Sequence, residues 1–121
     1  MDAEIPLLTP FSLRTERPAD GVVLVAIEGE LDIQHSAEVR AALRDAVLSP
    51  GGEAVIADLT KLEFIDSMGL VALTDAARIL ERNDRAPLVV VGGGLQVRRV
   101  LELTGIDRLV DMVESADPAL A

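Results

Sequence analysis

Asp66 and Ser67 are the adjacent pair whose types and position could do chemistry in this chain. Before them lies an aliphatic run, Ala54 to Leu59, short enough for a buried strand. After them the apolar residues Leu70, Leu73, Ala77 and Leu80 follow in steps of three, four and three, the period of an amphipathic helix. The pair therefore sits where a loop enters a helix. Asp and Ser both accept hydrogen bonds from the unpaired N–H groups of a first helical turn. That turn also carries partial positive charge and favours an anion, including a phosphate on a serine. By type and spacing alone the pair reads first as a plain cap, worth about 1 kcal/mol. The functional reading makes Ser67 a modifiable hydroxyl.

Other candidates are weaker. His35 is the one histidine, and there is no cysteine, so a nucleophile–histidine apparatus would rest on that single ring. It reads as a solvated loop histidine near a helix start. Gly92-Gly93-Gly94 follows an aliphatic strand, but the sixth position of a dinucleotide fingerprint is Val97 rather than glycine. A tight turn that lets a helix approach a sheet is the simpler reading. Glu28, Glu30, Asp32, Asp58, Glu63 and Asp66 lie near expected strand ends. Paired carboxylates or a cation site need convergent geometry, and no metal-spaced loop is present. No metal or cofactor is expected.

The elements that must position Asp66-Ser67 can be read in order. Phe11, Leu13 and Thr15 alternate with polar residues, as in a half-exposed strand. Pro18 to Gly21 carries turn chemistry, and Val22 to Glu28 is a second strand, giving a hairpin. Ser36 is the expected N-cap of a helix to about Leu48, with Val39, Leu43, Ala46 and Val47 on one face. The strand Ala54–Leu59 follows. Thr60 to Glu63 matches a capping box, but no helical apolar period begins there. A second helix spans Ser67 to about Arg82. Leu88 to Val91 suits a strand buried on both faces. A third helix carries Val97, Val100 and Leu101 and ends near Gly105, a fitting left-handed stop. Leu109 to Val113 is a last strand, and Asp117-Pro118 starts a short terminal helix. This alternation predicts an α/β domain with a mainly parallel sheet and one antiparallel hairpin. Residues 1–10 read as a flexible extension and 11–121 as one domain.

At 121 residues the chain buries enough surface to fold without a staple. Phe11 and Phe64 are the only aromatic residues, so the core must be aliphatic. Eleven basic against twenty-one acidic residues give a net charge of −10. A nucleic-acid binder needs a basic footprint and usually stacking aromatics, which disfavours that class. The longest apolar runs, such as Val22 to Ile27, fall far short of the roughly 20 residues of a membrane span. The start, Met-Asp-Ala-Glu, has no cationic region of a signal peptide, and a cytoplasmic location is expected.

Four segments resemble the STAS domain, and among its members the bacterial anti-sigma factor antagonists. They are Gly29-Glu30-Leu31-Asp32, Val55 to Leu59, Phe64-Ile65-Asp66-Ser67-Met68-Gly69-Leu70 and Leu103-Thr104-Gly105-Ile106. The match runs from about Phe11 to Leu120, and the Asp-Ser-x-Gly segment is its most specific part. The resemblance implies a single domain with a small mixed, mainly parallel sheet, an N-terminal hairpin and about four helices packed mainly on one face. It implies binding rather than catalysis. The unphosphorylated form would bind an anti-sigma factor that is also a serine kinase, and so free the sigma factor. Phosphorylation would stop binding, and a serine phosphatase would restore it. Ser67 matches the phosphoacceptor. Asp32, Asp66, Ser67, Met68, Gly69 and Leu70 match the partner surface. Met68 stands where many members have Ser or Thr, which puts an apolar side chain beside the acceptor. The oligomeric state is left at monomer or weak dimer. Two alternatives remain: an unphosphorylated scaffold subunit of a stress-signalling or lipid-transport complex, and a small enzyme, which would need a deep pocket at Ser67 with a general base in reach.

Overall fold

The computed structural model describes residues 10–114. Most of the expected extension and the helix expected at Asp117-Pro118 lie outside the described residues. The chain runs β1 (Ser12–Ala19), β2 (Val22–Leu31), α1 (Ser36–Leu48), β3 (Ala54–Asp58), β4 (Leu62–Ile65), α2 (Ser67–Arg82), β5 (Val89–Val91), α3 (Leu95–Leu103), a single 3₁₀ turn (Ile106–Arg108) and β6 (Asp111–Val113). The strands form a six-stranded sheet in the order β1-β2-β3-β5-β6, with β4 also paired to β2. Only β1 is antiparallel to its neighbour. Three α-helices lie among the described residues, against an expected total of about four.

The residue pattern accounts for this architecture. Val22 to Ile27 is buried without a break, as a strand covered on both faces must be. One set of alternate residues, Val23, Val25, Ile27, Val55, Ala57 and Val90, faces the main core with Val39 and Leu43 of α1, Leu73 and Leu80 of α2, and Val97 and Leu101 of α3. All three helices thus pack on one face. The other set, with Val22, Leu24, Ala26, Ile56 and Val91, forms a smaller apolar cluster on the opposite face.

Several details depart from the sequence reading. The hairpin turn is tighter than expected: Ala19 already pairs with Val22, which leaves Asp20-Gly21 as the turn. The ladder slips between Glu16 and Ala19, so Pro18 sits in the irregularity, where its missing N–H is tolerated. The N-cap of α1 is His35 rather than Ser36, and Ser36 Oγ donates back to the Ile33 carbonyl at 3.2 Å. Strand β4 was not anticipated at all. It continues along the edge of β2 where β3 leaves off, with Gly29 opposite Leu62 and Leu31 opposite Ile65. The glycine turn behaves as expected: a side chain at Gly92 would sit 2.9 Å from the Thr60 Cα, and its φ of +68° is left-handed. Gly105 has φ +79° and ends α3.

Candidate partner-docking site

Register places the site. Strands β2 and β4 run parallel with Leu31 beside Ile65, so Asp32 and Asp66 emerge next to each other, one residue beyond that pair. The Asp66 N–H donates to the Leu31 carbonyl at 3.1 Å and ties the two strand ends together. Asp66 then turns the chain into α2. Its backbone is extended (φ −101°, ψ −176°), and its carboxylate accepts from the Gly69 N–H at 3.0 Å. This is the N-cap geometry expected of Asp. Ser67 is the first helical residue and is exposed. The capping bond is made by Asp66, and Ser67 presents its hydroxyl outward at the positive end of the helix.

Gly69 makes the close approach that seats this helix start. A Cβ there would lie 2.6 Å from Ile65 Cγ1 and 2.8 Å from Leu31 Cδ2, both in the core. Gly69 is therefore buried packing rather than a contact surface, and Leu70 is half-buried against the core. Across the entrance, Asp32 folds its own loop: its carboxylate accepts from the Gln34 N–H at 3.0 Å, and its carbonyl from the His35 N–H at 3.1 Å. The Ile65 peptide is held from the other side by Gln96 of α3, whose amide accepts from the Ile65 N–H and donates to the Ile65 carbonyl, each at 3.2 Å.

Several large apolar residues close to Ser67 in the chain, and one beside Asp32, are exposed. Phe64 is 40% exposed, Met68 40%, Val71 43% and Ile33, next to Asp32, 76%. An open groove of about 280 Å³ continues along α2, lined by Leu70, Val71, Thr74, Asp75 and Arg78. Arg40 and Arg44 of α1 reach Asp75 at 3.6 and 3.4 Å. Sequence reasoning named Met68 and Leu70 but missed Ile33, Phe64 and Val71. Val71 could have been found, because it lies three residues after Met68 and off the buried stripe. Phe64 could not be found from alternation, because the β2–β4 ladder slips at that point and leaves Glu63 and Phe64 both exposed.

The other candidates are absorbed locally. His35 lies in the turn before α1 and is partly exposed, as expected, but its ring also stacks on Phe11 with centroids 3.9 Å apart, and its Nδ1 lies 3.6 Å from Glu38. Glu28 accepts from Arg14 at 2.9 Å, and Asp58 accepts from the Thr60 N–H at 3.0 Å and from its hydroxyl. Among the described residues no three His, Asp or Glu side chains come together as a metal site, and no helix is long and apolar enough to cross a membrane.

Comparison with known proteins places these features in context. A family model described as the STAS domain matches residues 16–119. The anti-sigma-F factor antagonist RsfB of Mycobacterium tuberculosis is 30% identical over 101 residues, covering 84% of this chain and 80% of the relative. The crystal structure of an anti-sigma factor antagonist from Mycobacterium paratuberculosis superposes with a TM-score of 0.82 at 29% identity, covering 94% of this chain and 96% of the other. The Bacillus cell fate determinant SpoIIAA in its phosphorylated form shares the fold, with a TM-score of 0.70 at 19% identity over 89% of this chain and 96% of that one.

Proposed function

The chain belongs to the STAS domain family, and from that premise we propose that it is an anti-sigma factor antagonist whose binding is switched by phosphate on Ser67. The unmodified protein binds a kinase-type anti-sigma factor and releases the sigma factor. The kinase transfers phosphate from ATP to Ser67, and a serine phosphatase removes it. Asp32, Asp66, Met68 and Leu70 belong to the docking surface with Ser67, and Ile33, Phe64 and Val71 extend it. Gly69 serves that surface from below, by letting α2 start where it does. The protein works in the cytoplasm and acts by binding, not by catalysis.

One observation carries this reading: Ser67 is exposed at the start of α2, and Phe64, Met68 and Val71, all within four residues of it, are exposed apolar side chains. Exposed apolar side chains grouped in this way suit burial against another protein. A phosphate there adds about −1.5 to −2 charges. The helix start tolerates it, so the domain survives. Asp66 and Asp32 stand beside it, and a partner covering the spot would have to strip water from the new charge. A loss of only ~3 kcal/mol already lowers affinity about a hundredfold. The switch is a charge placed on a contact surface.

The test is direct. Ser67→Ala should keep binding to the anti-sigma factor and accept no phosphate from kinase and ATP. Ser67→Glu should bind weakly. Mass spectrometry of the kinase-treated protein should find phosphate on Ser67. Phosphate on other residues only, or none, would remove the acceptor from this reading and leave a scaffold role.

A further inference from the structure

We infer that Gln96 is the positioning residue of the acceptor corner: its side-chain amide stands in for a missing strand beside β4 and fixes the peptide from which Ser67 is presented. The inference rests on the phosphoacceptor reading of Ser67 and adds a residue to it from a different element.

The geometry begins with the parallel ladder. Backbone groups of successive residues in a strand point to opposite edges. The Asp66 N–H points to β2, where it meets the Leu31 carbonyl. The N–H and carbonyl of Ile65 therefore point the other way, toward the edge that no strand covers among the described residues. Ile65 is 1% exposed, so water does not serve them there. Gln96 meets both, accepting one bond and donating the other at 3.2 Å each. Two residues earlier, at the N-cap of α3, the Gly94 N–H meets the Leu62 carbonyl of the same edge at 3.2 Å. The start of α3 thus completes the edge of β4. Gln96 is itself anchored, because the next residue, Val97, is fully buried in the core.

The side-chain type is specific. A carboxamide has a donor and an acceptor at one end, whereas a carboxylate offers only acceptors, and Asn is one methylene shorter. Ile65 immediately precedes the cap Asp66, and Ser67 follows the cap. Loosening the Ile65 peptide frees the cap and lets the acceptor hydroxyl sample orientations that a partner cannot use. If the competent orientation is held one-tenth of the time, apparent affinity falls about tenfold with no contact removed.

Two variants and two readouts test this. Gln96→Met keeps the length and the packing volume but makes neither bond. Gln96→Glu keeps an acceptor for the Ile65 N–H and sets a second oxygen against the Ile65 carbonyl. In the isolated protein, residue-resolved amide exchange of Gln96→Met should accelerate about tenfold at Ile65, Asp66 and Gly69, whose N–H groups are hydrogen-bonded at this corner, while Val23 to Ile27 stay protected. Purified kinase-type anti-sigma factor with ATP supplies the second readout: the KM for this protein should rise about tenfold with kcat kept. Gln96→Glu should not restore parental behaviour. Parental exchange at Ile65 in Gln96→Met, an unchanged KM, or full rescue by Gln96→Glu would each overturn the inference. Absence of phosphate on Ser67 in the parent protein would instead sink the acceptor reading, and the exchange experiment still decides whether Gln96 holds the corner.

Discussion

At the scale of single residues, the acceptor corner divides its tasks between neighbours. Asp66 carries the cap, and Ser67 carries the exposed hydroxyl. The two contributions of Asp66, its hydrogen bond and its charge, can be separated by substitution. Asp66→Ala loses the bond from the Gly69 N–H and should lower stability by about 1 kcal/mol, read as a lower denaturant midpoint. Asp66→Asn keeps an oxygen for that bond and should hold the midpoint close to the parent's. Any change in partner affinity in Asp66→Asn then reports the carboxylate's charge on the docking surface alone. A midpoint that falls equally in both variants would mean that the charge, not the bond, secures the helix start.

At the scale of elements, the corner depends on how closely α2 approaches the end of β2. Gly69 sets that approach, with Ile65 and Leu31 where a side chain would be. Gly69→Ala should destabilise the protein although alanine is the better helix former. Overpacking a core typically costs about 1–3 kcal/mol, against about 1 kcal/mol gained in helix propensity. Chemical unfolding should show a lower midpoint with an unchanged slope, and an unchanged or raised midpoint would count against the tight contact. The elements themselves were readable from sequence to different degrees. Helix α2 declared itself by its apolar period and ends at Arg82, as that period requires. Its buried stripe also includes Gly69, Ala72 and Ala76, small residues whose burial a hydrophobic period barely registers. Strand β4 has no signature in the sequence because Leu62 and Ile65 are buried with two exposed residues between them, a step of three that breaks the alternation expected of a strand. Its pairing is a long-range fact, set by β2. The Gln96 contact with Ile65 spans 31 positions and has no local signature. Asp66, Ser67 and Met68 are legible from type and motif, but Phe64 and Ile33 are not, because their exposure depends on where the ladder slips and where the loop turns.

At the scale of the whole molecule, the charge is −10 before any modification, and the main aliphatic core lies between the helices and one face of the sheet, with a smaller apolar cluster on the other. Adding a phosphate to such a chain changes the field at one spot far more than it changes the fold. A favourable term of about 0.3–1 kcal/mol at the helix start opposes repulsion from neighbouring carboxylates. The phosphorylated and unmodified proteins should therefore melt within about 5 °C of each other, the shift expected for roughly 1 kcal/mol in a domain of this size. Their affinities for the anti-sigma factor should differ about a hundredfold. Scanning calorimetry and titration on the same two samples measure both. A large drop in melting temperature on phosphorylation would mean that the switch works by unfolding.

That Ser67 follows the cap rather than serving as the cap has a consequence for how this protein can vary. Among the described residues the capping bond at this corner belongs to Asp66, and the Ser67 hydroxyl takes no part in it. A lineage could retire the proposed control, or fix it permanently in one setting, by a single codon change that leaves the cap bond of Asp66 in place.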